Sequence, residues 1–186
     1  MKFDIARQPL VPAFMTLFAL AVAAMCAGIP VPDTETSGAV REALPLLGGQ
    51  LARFQAAYPV WSKFAAGFML LFAGMCTGRI SIRYNLYTVG TCLPIPLYAI
   101  VACGIATGGN YLAGFAASML LALATKNYCR AFCNGYGFDA IFRASLYLGL
   151  MPLIYAPALP LLLLLPLAVL LFRRTFREVV VATAGL

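Results

Sequence analysis

Apolar residues along this chain fall into long blocks separated by short polar or basic stretches. A helix needs roughly 20 mostly apolar residues to cross the hydrocarbon core of a bilayer, and about six blocks come near that length. The first covers residues 10–29 and stops at Pro30-Val31-Pro32. The second covers 59–78, with Lys63 in its first turn able to snorkel to the interface. The third covers 86–107, and Gly108-Gly109-Asn110 turns it into the fourth, 111–125. The fifth, 140–156, and the sixth, 158–172, form a tight hairpin about Pro157. Pro152, Pro160 and Pro166 should kink this last pair, whose freed carbonyls then need partners on neighbouring helices. The pattern predicts an all-α fold, a polytopic membrane helix bundle forming one domain over residues 1–186. After Arg177-Glu178 residues 179–186 are apolar again, too few to span. They read as the opening of a seventh helix, so the chain is expected to be the front part of a longer bundle.

Between the first and second blocks the pattern changes. Asp33-Thr34-Glu35-Thr36-Ser37-Gly38 is polar and suits a turn leading into a helix. Apolar residues then recur as Val40, Leu44, Leu47, Leu51, Phe54 and Tyr58, in alternating steps of four and three. Arg41, Glu42, Gln50, Arg53 and Gln55 lie off that stripe. This is an amphipathic helical pattern, broken near Pro45 and Gly48-Gly49 and too polar to cross. Segment 31–58 is expected to lie outside the membrane, either on the outer leaflet as interfacial helices or as a cap over the bundle.

Composition sharpens the picture. The chain is 63% hydrophobic and 10% charged, with a mean hydropathy of +0.91. A soluble domain carries about 25% charged residues, and a chain so short of charge cannot cover a globule with polar surface. Neither a linker nor an internal repeat divides it. The net charge of +7 does not point to nucleic acid, because the basic residues sit beside apolar runs rather than in an aromatic-interleaved patch. With the N-terminus inside, the cytoplasmic ends hold Lys2, Arg7, Arg79, Arg83, Lys126, Arg130, Arg143, Arg173, Arg174 and Arg177, against Arg41, Arg53 and Lys63 outside. That ledger sets the expected orientation. Lys2 and Arg7 could head a signal peptide, but the run is long for one and its end lacks a clean A-x-A site, so a retained anchor is expected.

Candidate chemistry is sparse. The chain has no histidine, which removes the commonest general base and most catalytic zinc geometries. No cofactor signature is present, and neither a metal nor a cofactor is expected. Asp33 and Glu35, with Glu42, are the acids of the outer side; they could act as a base or metal ligand, or simply favour a helix start. Asp139 and Arg143 stand at i and i+4, a supportive pair where the fifth helix enters the membrane. Arg83, Lys126, Arg130 and Arg143 are candidates for holding a lipid phosphate at the inner face, weighed against plain anchoring. Arg41 and Arg53 are the outer counterparts. Cys129 and Cys133 lack the second pair a metal site needs, and the cysteines within spans read as small hydrophobes. Gly67, Gly74 and Gly78, like Gly114, Ala117 and Ser118, suit close helix contact. Asn134-Gly135-Tyr136-Gly137 is a turn, without the spacing of a phosphate loop.

From Arg83 onward the chain resembles a family of uncharacterised multi-pass inner-membrane proteins of Bacteroidota bacteria. The resemblance rests on Phe138-Asp139-Ala140, Ile154-Tyr155-Ala156-Pro157-Ala158, the Leu-rich sixth block, Phe172-Arg173 and Arg177-Glu178, with weaker support over residues 79–85. It implies a polytopic layout with further C-terminal helices, and no activity. The expected function is that of a non-enzymatic subunit or scaffold in cell-envelope biogenesis. Its partners would be membrane lipids and either other membrane proteins or a second copy of itself. Two alternatives are a polyprenyl-phosphate-dependent glycosyltransferase-like enzyme, with Asp33 or Glu35 as base and Arg41 or Arg53 on phosphate, and a small transporter of lipid or apolar solute.

Overall fold

The computed structural model describes residues 10–26, 45–84, 91–106, 110–133, 137–163 and 176–186. Every described element is helical: α1 (Leu10–Cys26), α2 (Leu46–Ala57), α3 (Pro59–Arg83), α4 (Pro94–Ala106), α5 (Tyr111–Cys133), α6 (Phe138–Ile154), a 3-10 segment (Ala156–Leu163) and α7 (Phe176–Ala184). The all-α expectation therefore holds. Among the described residues one helix, α3, is both long and apolar enough to cross a membrane. Its 25 residues cover about 37 Å at 1.5 Å per residue, against a hydrocarbon core of about 30 Å.

The helices run alternately up and down. Leu17 and Met25 of α1 pack at Gly74 and Gly67 of α3, so those two helices are antiparallel. α4 is also antiparallel to α3, with Ile95 at Gly78 and Ser81 donating to the Thr91 carbonyl at 3.5 Å. α5 is parallel to α3: Tyr111 meets Ser62 at one end, and Lys126 lies beside Cys76 and Arg79 at the other. α6 returns along α5 from Gly137, which packs against Ala131. We call the end holding Pro59 and Tyr111 the upper end, and that holding Arg83, Thr91 and Phe138 the lower end.

Small residues set the spacing. A Cβ added at Gly74 would stand 2.7 Å from the buried Leu17 side chain, and one at Gly78 would overlap buried Ile95. The close-contact reading of Gly67, Gly74 and Gly78 is thus what the helix pairs use. A second close approach carried no obvious sequence signal: Gly185 lies against Ser145 and the Phe142 carbonyl, and Gly149 against the backbone of Leu186. These contacts seat α7 on α6. Two larger apolar cores result, one around Leu17, Leu70, Ile95 and Phe115, the other around Ile141, Ala144, Leu148 and Met151 with Ala182 of α7, and a smaller cluster joins Ala73 and Cys76 to Ala122.

Several boundaries move. The third block was expected as helix from residue 86, yet α4 begins only at Pro94. Residues 86–90 lie outside the described part, and Leu93 is held before Pro94 in a turn where its N–H donates to Thr91 Oγ1 at 3.2 Å; a residue preceding proline avoids helical backbone. The fourth block continues past Thr125 to Cys133. The sixth begins as 3-10 helix rather than α-helix, because Pro157 and Pro160 bring no N–H for an i to i−4 bond; Pro166 is outside the described residues. Pro152 sits in the last turn of α6, where little of the ladder remains to break.

α2 corrects the expected break. It runs unbroken through Gly48-Gly49, and buried Gly48 lets it pack on the bundle. Of the stripe, Leu51 packs against the core while Leu47, Phe54 and Tyr58 stay exposed. Gln55 Oε1 accepts the Leu112 N–H at 3.3 Å. That satisfies one of the orphan donors at the start of α5, so α2 caps the bundle through an amide.

Candidate functional site

Two polar pairs pin the upper and middle levels. The Ser62 hydroxyl donates to the Pro59 carbonyl at 2.8 Å, which uses its single proton. The Tyr111 hydroxyl therefore donates to Ser62 Oγ, 2.5 Å away in a buried position. Ser118 repeats the arrangement, donating to Phe115 O at 2.8 Å and accepting from Tyr98 at 3.1 Å. Removing the Ser62 hydroxyl leaves a buried phenol with nothing to donate to. Ser62→Ala is expected to cost about 1–3 kcal/mol, and Tyr111→Phe less, about 0.5–1.5 kcal/mol. A double-mutant cycle on unfolding of the purified chain reads the difference; additive losses would show that the two hydroxyls do not act on each other.

The lower end gathers charge. Cys76, Arg79, Ile80, Arg83 and Tyr84 share one face of α3 and, with Lys126 of α5, line a cleft. Cys76 and Ile80 are its buried floor, Tyr84 and Lys126 are half-buried, and Arg79 and Arg83 are exposed at its mouth. The floor has room for about 20 Å³, enough for one water. A group larger than water fits only at the mouth, beside Arg79 and Arg83.

The candidate residues divide accordingly. Arg83 and Lys126 come together, and Arg79, which no pattern along the chain sets apart from its neighbours, joins them. Arg143 does not: its Nε donates to Asp139 Oδ1 at 3.0 Å, the expected i, i+4 pair, with both side chains exposed at 58% and 68%. So exposed a pair contributes little to stability. Arg130 is exposed on α5 outside the cleft, and Arg53 is exposed on α2 at the opposite end. Asp33, Glu35 and Arg41 lie outside the described residues.

Two further features were not foreseen. Phe54, Tyr58, Trp61, Phe64 and Phe68 line an open groove of about 540 Å³ where α2 meets α3. Tyr58, Trp61, Phe64 and Phe68 are all more than half exposed. The Tyr128 hydroxyl is buried without a hydrogen-bond partner among the described residues, and burial pushes its phenol well above the ordinary range, so it stays protonated. It faces α6, stacked with Phe132, away from the cleft.

Comparison of the chain with protein-family models, with curated proteins and with solved structures finds no match.

Proposed function

We propose that this chain is a multi-pass protein of a bacterial cytoplasmic membrane, with its N-terminus inside and about six crossings. It would serve there as a non-catalytic subunit or scaffold of envelope biogenesis. One observation carries the reading: helices that alternate in direction place Arg79, Arg83, Lys126, Arg130 and Arg143 together at the lower end, leaving Arg53 and Lys63 at the upper. Positive charge accumulates on the cytoplasmic side of such bundles. The lower boundaries drawn separately for the second and fourth blocks, at residues 78 and 125, fall side by side where Arg79 meets Lys126. The opposite end carries Tyr58 and Trp61, residue types that favour a membrane–water interface. Exposed Phe64, Phe68 and Phe72 continue down α3 and would face lipid tails. The lineage inferred from Phe138-Asp139-Ala140 and Ile154-Tyr155-Ala156-Pro157-Ala158 belongs to the same proposal.

Reporter fusions test the topology. Alkaline phosphatase joined after Gly38 or Gly109 is expected to be active, and inactive after Gly135, with fluorescent-protein fusions giving the reverse. The inverse pattern, or release of the chain from membranes by alkaline carbonate, would refute the reading. Cross-linking in native membranes should capture a partner protein or a second copy. A strictly monomeric chain with no cross-linked partner would end the subunit proposal while leaving the topology intact.

A further inference from the structure

We propose that the lower cleft between α3 and α5 binds the phosphate of an anionic membrane lipid, held by Arg79, Arg83 and Lys126. The assignment of phosphate as the ligand chemistry stands on the cleft itself; the lipid as its source rests on the membrane reading above.

Plain anchoring explains cations that radiate separately toward water. Here three cations from two helices, whose positions lie more than forty residues apart in the sequence, converge on one cleft. Like charges repel, so such a cluster calls for an anion. Helix-dipole stabilisation accounts for Arg83 in the last turn of α3, but that effect fades within one turn. It does not account for Arg79, a turn earlier, nor for Lys126, which precedes the end of α5 at Cys133 by nearly two turns. A snorkelling lysine extends away from the protein, whereas Lys126 is half-buried beside Cys76 and Arg79.

No acid among the described residues supplies the anion. Asp139 is engaged by Arg143, and Glu178 is buried within α7. The buried floor of Cys76 and Ile80 leaves room for no more than about one water beneath the charges, and so little solvent screens their pull on a phosphate at the mouth only weakly. Arginine presents a planar fork suited to phosphate oxygens, and lysine adds a point charge. The cleft also sits at the level where a phospholipid of the inner leaflet carries its headgroup.

The test uses the full chain purified in a neutral maltoside detergent, titrated with short-chain phosphatidylglycerol, short-chain phosphatidylcholine or inorganic phosphate, and read by calorimetry. Phosphatidylglycerol is expected to bind saturably and more tightly than the other two. Arg79→Gln with Lys126→Gln should weaken it on the order of thirtyfold, from roughly fivefold per cation and their coupling at one phosphate. Arg130→Gln with Arg143→Gln removes the same charge from the same end and should change binding less than about fivefold. Equal losses in the two double variants would overturn the site in favour of a diffuse field. Equally tight binding of inorganic phosphate would replace the lipid by a free phosphate. Circular dichroism and elution volume establish that each variant is folded, and Lys126→Arg should retain binding where Lys126→Gln does not. Because this titration needs no bilayer, it can fail while the topology fusions succeed, and the reverse.

Discussion

Alanine at Gly74 or Gly78 is expected to destabilise the bundle, while alanine at Gly67 is expected to leave it unchanged or slightly more stable. All three glycines lie on the same helix and all three face a partner side chain. The difference is whether that partner can move. At Gly67 the obstacle is the terminal methyl of Met25, a flexible thioether on a half-buried residue, which can swing aside. At Gly74 the obstacle is Leu17, which is fully buried and closely packed, so it can yield less readily. At Gly78 it is Ile95, which is buried and stiff at χ1. Overpacking of this kind costs about 1–3 kcal/mol, while replacing a helical glycine by alanine returns about 0.8–1 kcal/mol. Gly67→Ala therefore keeps only the favourable part. Gly74→Ala and Gly78→Ala press on Leu17 and Ile95, which share one core, so their losses should couple rather than simply add in the double variant. Unfolding in mixed micelles by increasing dodecyl sulfate measures all four chains. A Gly67→Ala loss as large as the others would show that the spacing is set by the backbones rather than by Leu17 and Ile95.

Phe115→Ala is expected to be the most damaging single truncation. Phe115 is the largest of the fully buried side chains at 1% exposure, and it stands in the core where α1, α3, α4 and α5 meet. Water-soluble cores lose about 3–5 kcal/mol for Phe→Ala, partly from transfer and partly from the cavity. In the membrane setting proposed above the transfer part would shrink, because lipid tails are as apolar as the core, and packing would carry the remainder. The loss should thus fall toward the lower part of that range. Truncation of Phe68, 66% exposed, should cost almost nothing by the same measure. Near-equal losses at 115 and 68 would mean that the face bearing Phe68 is covered in the folded protein.

Much of this was legible along the chain. The all-α class follows from apolar block length, and the i, i+4 pair of Asp139 and Arg143 from local spacing. The glycine contacts of α3 were readable because a helix presents residues 67, 74 and 78 on nearby faces, where small side chains serve only close approach. Boundaries were less legible. Hydropathy does not register that Pro94 and Pro157 alter the backbone around them, so α4 starts late and the sixth block opens as 3-10 helix. Gly185 against Ser145 was invisible, since neither residue belongs to a repeating pattern.

By itself the sequence determined a composition: few charges, long apolar runs, and cations beside those runs. Those are sums over residues, and they survive any folding of the chain. Only the tertiary structure decided which cations matter together. Arg143 stands apart already by its spacing from Asp139, but Arg79, Arg83, Lys126 and Arg130 look alike in sequence, and it is the parallel packing of α3 and α5 that brings Arg79 and Arg83 to Lys126. Convergence across two helices depends on their relative rotation and register, which are set by Leu17, Ile95 and Tyr111 fitting against α3. No local pattern encodes that fit.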